Sequence, residues 1–312
     1  MAYVIKALGI FILVILCLAL LLVGGLNIAK LAIYADYYSI EENVCTNPGL
    51  NDGFVCQGIC VSEENSKILV SGYMADKSRS RIYVTDLESN SYYVELTRNG
   101  KDYTGHAGGI AVTGDTVYIS NGSKLYVFSL SDVLAAKNGD VIDIGGGFEV
   151  NSAASFVFAD ENYVYVGEFN NPAEEQKEHI YETSGGVNHS IVERYTHDNL
   201  ETPDKIYSIG DYAQGVCFMP DGRIVISTSY GLTSSVYYVY NEADATDSGN
   251  TLDGAPVYYL GECTLRLEGP AMGEDLDWYE GKVITLSESA SNKYIFGKLF
   301  FAYDIVALDF SK

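Results

Sequence analysis

Five short stretches of this chain align beneath one another: CQGICV from Cys56, AGGIAV from Ala107, AASFVF from Ala153, AQGVCF from Ala213 and GEDLDW from Gly273. Their second residues, Gln57, Gly108, Ala154, Gln214 and Glu274, are spaced by 51, 46, 60 and 60 residues. A turn-forming cluster follows each one (SEENSK, TGDT, ADEN, MPDGR, YEGK), and then a β-branched and aromatic run: ILVSGY, VYISNG, YVYVGEF, IVISTSY, VITLSES. Third runs come next (SRIYVTDL, SKLYVFSL, SIVERY, SSVYYVY, YDIVALDF), with less regular fourth runs in YYVELT, DVIDIG, KIYSIG and VYYLGECTLRL. A single four-stranded sheet cannot bury both of its faces, so units of this length and pattern stack around an axis as propeller blades. The expectation is an all-β chain, a β-propeller of four-stranded blades, five by count with six as the alternative.

The fifth repeat has no fourth run after Phe310, while the strand-like IYADYYSI stands ahead of the first repeat. Residues near 33 to 45 are therefore expected to supply the missing strand and close the ring. Gly58, Gly109, Ser155 and Gly215 share one repeat position, where inner strands crowd the axis, so the small residues of GHAGGIAV (105–112) read as structural. Third-strand tyrosines such as Tyr83, Tyr126, Tyr195 and Tyr237 read as core.

Ala7 to Leu26 is a charge-free apolar run about as long as a bilayer's hydrocarbon core requires. It is longer than a signal-peptide core, and Ile33 spoils the cleavage pattern ahead of Ala35, so an uncleaved anchor is expected. The organisation that follows is residues 1–32 anchor, 33–52 spacer and ring-closing strand, and 53–312 propeller. Lys6 before the span and the acids after Lys30 place the N-terminus in the cytoplasm and the propeller outside a cell membrane crossed once, through residues 7–26. Setting aside Lys6 and Lys30 leaves 17 basic against 42 acidic side chains, a formal −25, which argues against nucleic acid and anionic lipid as partners. Cys45, Cys56, Cys60, Cys217 and Cys263 make no disulfide framework and no zinc spacing. Cys60 and Cys217 read as small buried hydrophobes, while a Cys45–Cys56 or Cys45–Cys263 bridge is left open.

In a four-stranded meander, the loops that lead into first strands and those leaving second strands share one edge. A ligand site is expected on that upper rim, formed by Gln57, His106, Gln214, Glu274 and Tyr230, with Ser71, Tyr73, Asn170 and Asp275 nearby. Glu168, Glu288 and Asn121 could hold a divalent cation such as calcium, and His106, Glu168 and Glu288 are the candidate catalytic groups. The insertion NNPAEEQKEHIYETSGGVNHS, with His179 and His189, lies on the same rim as a flap or a plain loop. NEADATDSGNTLDGAP is expected to be a solvated loop on the opposite face.

The strings SGYMADKSRSRIYVTDL, YTGHAGGIAVTGDTVYISNGSKLYVFSL and GEDLDWYEGKVITLSESASNKY resemble a family of exported, mostly uncharacterised bacterial propellers, over about Pro48 to Phe310. That resemblance implies a propeller and an extracytoplasmic setting, and no activity. A more distant likeness, in the first- and second-strand pattern alone, is to the SMP-30 and gluconolactonase-like propellers, whose central metal is held by Glu, Asn and Asp. Glu168, Asn121 and Glu288 would be the mimics here, although that group's asparagine and aspartate context is missing and its blades number six. Two functions remain: an anchored module binding an extracellular glycan, peptide or protein, and a lactonase- or glycosidase-like hydrolase using a metal or a carboxylate pair.

Overall fold

The computed structural model describes residues 2–174, 179–183 and 186–312. Five antiparallel meanders follow one another in the chain, each with its first strand innermost. Blade one is built from Phe54–Ser62, Lys67–Met74, Arg81–Thr85 and Ser91–Arg98. Gly109–Thr113, Thr116–Ser120, Lys124–Ser129 and Phe148–Glu149 form blade two. Blade three uses Phe156–Ala159, Tyr163–Gly167, Ser190–Thr196 and Lys205–Ile209; blade four uses Ala213–Phe218, Arg223–Thr228, Ser235–Asn241 and Leu265–Gly269. The last blade joins Gly273–Tyr279, Lys282–Ser287 and Asp304–Leu308 to Glu41–Thr46 from the other end of the sequence. Each innermost strand packs on the next, and the fifth returns to the first.

The glycines permit that packing. A Cβ on Gly58 would lie 2.6 Å from the Ile110 nitrogen of blade two, and one on Gly215 would lie 2.7 Å from the Asp275 Cα of blade five. Both contacts are far inside van der Waals distance and both meet backbone, which cannot rotate away. Between blades, the cores are continuous sheets of side chains. Leu69, Ile82 and Val84 of blade one meet Ile110, Val117 and Ile119 of blade two, for example. Tyr83, Tyr126, Tyr195 and Tyr237 are all buried there, as their strand positions suggest.

Three local expectations need correction. IYADYYSI is not a strand: α1 (Ala2–Ile33) ends at its first residue and α2 (Ala35–Ile40) takes most of the rest. Tyr34, Tyr37 and Tyr38 stand at the i, i+3, i+4 spacing of a helix face, and Tyr37 is buried against Tyr237, with ring centroids 5.9 Å apart. Only the following EENVCT pairs with the last strand. The run DVIDIG leaves its own blade, since Val141–Asp143 lies parallel to blade one's outer strand while Phe148–Glu149 completes blade two. Likewise Thr246–Leu252 and Ala255–Tyr259 form an ordered hairpin that extends blade three, where a solvated loop was expected. Both excursions cover edge strands that would otherwise expose unpaired backbone. Cys45, Cys56, Cys60 and Cys217 are buried thiols and Cys263 is an exposed one, so neither bridge forms.

The chain enters beside the upper rim. At the base of α1, Lys30 Nζ donates to the Phe300 carbonyl at 3.3 Å, and the Tyr34 and Ser234 hydroxyls are 3.1 Å apart. From there α2 descends along the seam between blades four and five, and the ring-closing strand climbs back. Ile5–Ile33 is apolar and long enough to cross a membrane, and none of it is buried in the protein.

Candidate functional site

The upper rim holds one connected polar group. Glu288 opens a short helical turn directly after blade five's second strand. Gln57 Nε2 donates to its Oε2 at 2.9 Å, and the Tyr294 hydroxyl donates to the same oxygen at 3.3 Å. Tyr294 contacts the Tyr73 hydroxyl at 3.3 Å, Lys293 Nζ sits 4.6 Å above the Tyr73 ring, and His106 stacks on that ring at 4.7 Å. Burial raises Glu288 to about 7, against the opposing pull of Lys293, Tyr294 and Gln57. Glu274 beside it is held well above the ordinary carboxylate range, first by burial and then by the charges of Glu288 and Asp275. Loss of water around its ring, and then the charge of Lys293, also lower the His106 imidazole below its ordinary value.

Four of the expected rim residues, Gln57, His106, Glu274 and Glu288, thus belong to one neighbourhood. Tyr73 and Asn121 join them, while Glu168, Gln214 and Tyr230 serve elsewhere. Glu168 is buried and engaged three times, by the Ala153 N–H at 3.0 Å, the Ile191 N–H at 3.1 Å and His179 Nδ1 at 2.7 Å. It ties the blade-three insertion to its own blade and shares no bonding partner with Glu288 among the described residues. Asn121 Oδ1 receives the His106 N–H at 3.0 Å. Gln214 bonds Ser229 of its own blade, and Tyr230 stacks on Tyr212 with centroids 5.1 Å apart. Within the insertion, Tyr181–Thr183 pairs with Gly186–Asn188; residues 175–178 and 184–185 of the expected flap lie outside the described residues. Among the described residues no three His, Cys, Asp or Glu side chains group as metal ligands would.

The lower face carries a feature that the motif reading passed over. A cavity of about 640 Å³ opens where the first strands end, and all five blades line it. Phe158, Phe218, Met219 and Trp278 give it an apolar wall, Glu64 and Glu161 are among the acids at its margin, and among the described residues no Lys, Arg or His lines it. Asp277 sits in that wall, accepting the Val61 N–H at 2.7 Å and the Trp278 N–H at 2.8 Å. Burial raises its carboxyl to about 7, with Glu63 adding to the shift. The signal was present in SEEN, ADEN, MPDGR and DW, but turn residues read one blade at a time do not reveal that they converge.

No family model matches the chain, and no curated protein does either. Among solved structures, it is similar to a chain of a nidogen–laminin complex, at 12% identity over 75% of this chain and 73% of that one, with a TM-score of 0.43. A PQQ-bound aldose sugar dehydrogenase from Streptomyces coelicolor aligns at 14% identity over 79% and 76%, with a TM-score of 0.44. A Bacteroides thetaiotaomicron protein of unknown function aligns at 13% identity over 86% and 75%, with a TM-score of 0.40.

Proposed function

We propose that this protein is a membrane-anchored, extracytoplasmic binding module: α1 crosses the cell membrane with its N-terminus in the cytoplasm, and the propeller presents its lower cavity to a partner outside. The observation that carries this reading is the convergence of all five blades on an apolar-walled cavity with an acidic margin and, among the described residues, no basic side chain. Such a lining complements a peptide or protein segment that combines an apolar side chain with lysine or arginine.

Trp278, the only tryptophan in the chain, lines the cavity and reports on its occupancy. The full chain in detergent is titrated with short peptides pairing Phe or Leu with Arg, and with neutral oligosaccharides as the competing ligand class. Peptide binding should shift Trp278 emission, weaken as salt rises, and be lost in a Glu64→Lys, Glu161→Lys double variant. A Trp278 response to oligosaccharide alone, insensitive to salt, would make the ligand a glycan. A bound partner that leaves Trp278 silent and tolerates the charge reversals would refute the lower-face reading.

A second reading rests on Glu274 and Glu288, two buried acids with raised pKa values, Glu288 facing the charge of Lys293 and sharing a neighbourhood with His106. A lactonase- or glycosidase-like hydrolase, with or without a cation such as calcium, would use Glu288 as its proton carrier. Under that reading, hydrolysis of an aryl glycoside or lactone falls about 100-fold or more in Glu288→Gln.

A further inference from the structure

The base of α1 does not leave the propeller alone. Leu26, Ala29 and Ile33 line an apolar groove of about 380 Å³ together with Leu232, Phe296 and Leu299, which come from the second-to-third-strand loops of blades four and five. These loops then turn their apolar side chains outward. Ile295 is 78% exposed, Phe296 71% and Leu232 53%, and Leu299 and Tyr303 are exposed beside them. Scattered exposed leucines need no explanation, but a contiguous group around the root of an apolar helix does.

The sequence of this segment departs from the rest of the exported chain. Ser289 to Tyr303 contains no acid in a chain with 42, and it carries Lys293, Lys298 and five aromatic residues. Aromatic rings and lysines beside an apolar span are the composition of a membrane–water interface. Depth follows from helix geometry. If Ala7 to Leu26 fills the hydrocarbon core, Ile33 stands seven residues above its edge, about 10 Å at 1.5 Å per residue. Loops that touch both Leu26 and Ile33 are held within that layer.

We infer that the loops at 230–233 and 293–300 form a lipid-contacting surface, so that the blade-four and blade-five side of the upper face rests on the bilayer interface. The occupant of this surface is the bilayer that α1 enters, and the inference rests on α1 being a membrane span. Lys30, bonded to the Phe300 carbonyl, ties the base of the helix to the loops. The lower cavity then faces away from the membrane.

The test uses the full chain in vesicles, with lipids brominated on their acyl chains near the headgroup or left unbrominated. Three proteins are compared: the native chain, whose only tryptophan is Trp278, and the single variants Ile295→Trp and Leu20→Trp, both at exposed positions where a larger side chain meets no packing. The added emission of Ile295→Trp and Leu20→Trp should each fall by about half in brominated lipid, as expected for an indole at interfacial or core depth, while the native emission is unchanged. Quenching of Leu20→Trp without Ile295→Trp would overturn the lipid-contacting surface and leave the anchor standing. Quenching of neither would remove the anchor, and the inference with it. Quenching of native Trp278 would put the wrong face on the membrane and overturn the inference as well.

Discussion

Gly109→Ala tests the packing of the ring where the inner strands of blades two and three meet backbone to backbone. A Cβ at Gly109 would lie 2.7 Å from the Phe156 Cα and 2.8 Å from the Phe156 carbonyl carbon, and closer still to the Val157 nitrogen. All three atoms are backbone of blade three's inner strand, where carbon contacts settle near 3.5 to 4.0 Å. Relief requires the two inner strands to separate by about 1 Å, and each is clamped by its own blade, so the overpacking cost of about 1–3 kcal/mol is a lower bound. For a domain of this size that lowers the melting temperature by roughly 2–10 °C. Gly210→Ala is the matched control, because a Cβ there meets nothing within 4 Å. It should be neutral or stabilising by up to about 1 kcal/mol, since alanine restricts the unfolded chain more than glycine does. The assay is thermal unfolding of the full chain in detergent, followed by circular dichroism. If Gly109→Ala melts within about 1 °C of Gly210→Ala, the glycine is not there to admit the neighbouring strand, and the structural account of GHAGGIAV fails.

Asp277 lowers stability as pH rises from about 4 to 7, because, raised to about 7, it stays protonated in the folded protein while its unfolded counterpart ionises near 3.9, and Glu288, also raised to about 7, adds to the same slope. The full linkage of Asp277 would be about 4 kcal/mol, and water in the cavity mouth trims it to about 2 kcal/mol. Asp277→Asn should flatten that slope in urea titrations at pH 4.5 and 7.5, and an unchanged slope would refute the assignment. Tyr37→Ala removes the buried ring that seats α2 against Tyr237 and should cost about 3 kcal/mol. Hydrogen exchange should then accelerate first at Glu41–Thr46, and uniform acceleration across all five blades would contradict the seam's local role.

The repeat was legible because its cause is local: a crowded axis favours a small residue at one position, and four of the five blades place one there, at Gly58, Gly109, Ser155 and Gly215, while the fifth carries Asp275. The outer edge is under no such demand. Val141–Asp143 and Ala255–Tyr259 have the composition of strands, and which edge they pair with depends on chain excursions that no pattern of period two encodes. In the segment ahead of the ring, aromatic richness suggested a strand where the spacing of Tyr34, Tyr37 and Tyr38 marks a helix. For the site, meander geometry placed Gln57, His106, Glu274 and Glu288 on one rim, and they do meet there. Glu168 follows a second strand in the same way, but His179 in the neighbouring insertion claims its carboxylate, and a partner eleven residues away in an irregular loop leaves no periodic trace. The lower cavity was illegible for the opposite reason, since each of its contributors is an ordinary turn.

One loop of the upper face and the lower cavity carry opposite charge. Ser289 to Tyr303 on the upper side has lysines and no acids, whereas the lower cavity, among the described residues, has acids and no bases. In the proposed orientation this arrangement does two things at once. The acid-free loop meets the headgroup layer without adding like charge to it, and the acid-lined cavity stands a propeller's depth away, beyond the Debye length of about 8 Å at physiological salt. A cationic segment held at the lower cavity is then drawn by the protein's own acids, with little competition from the bilayer. Because α1 runs through α2 into the strand that closes the ring, the same stretch of chain that sets the helix against the upper loops also completes blade five. In that proposed orientation the tilt of the propeller on α1 is coupled to the closure of its ring, so a change that loosens the seam at Tyr37 should alter both the stability of the fifth blade and the direction in which the cavity points.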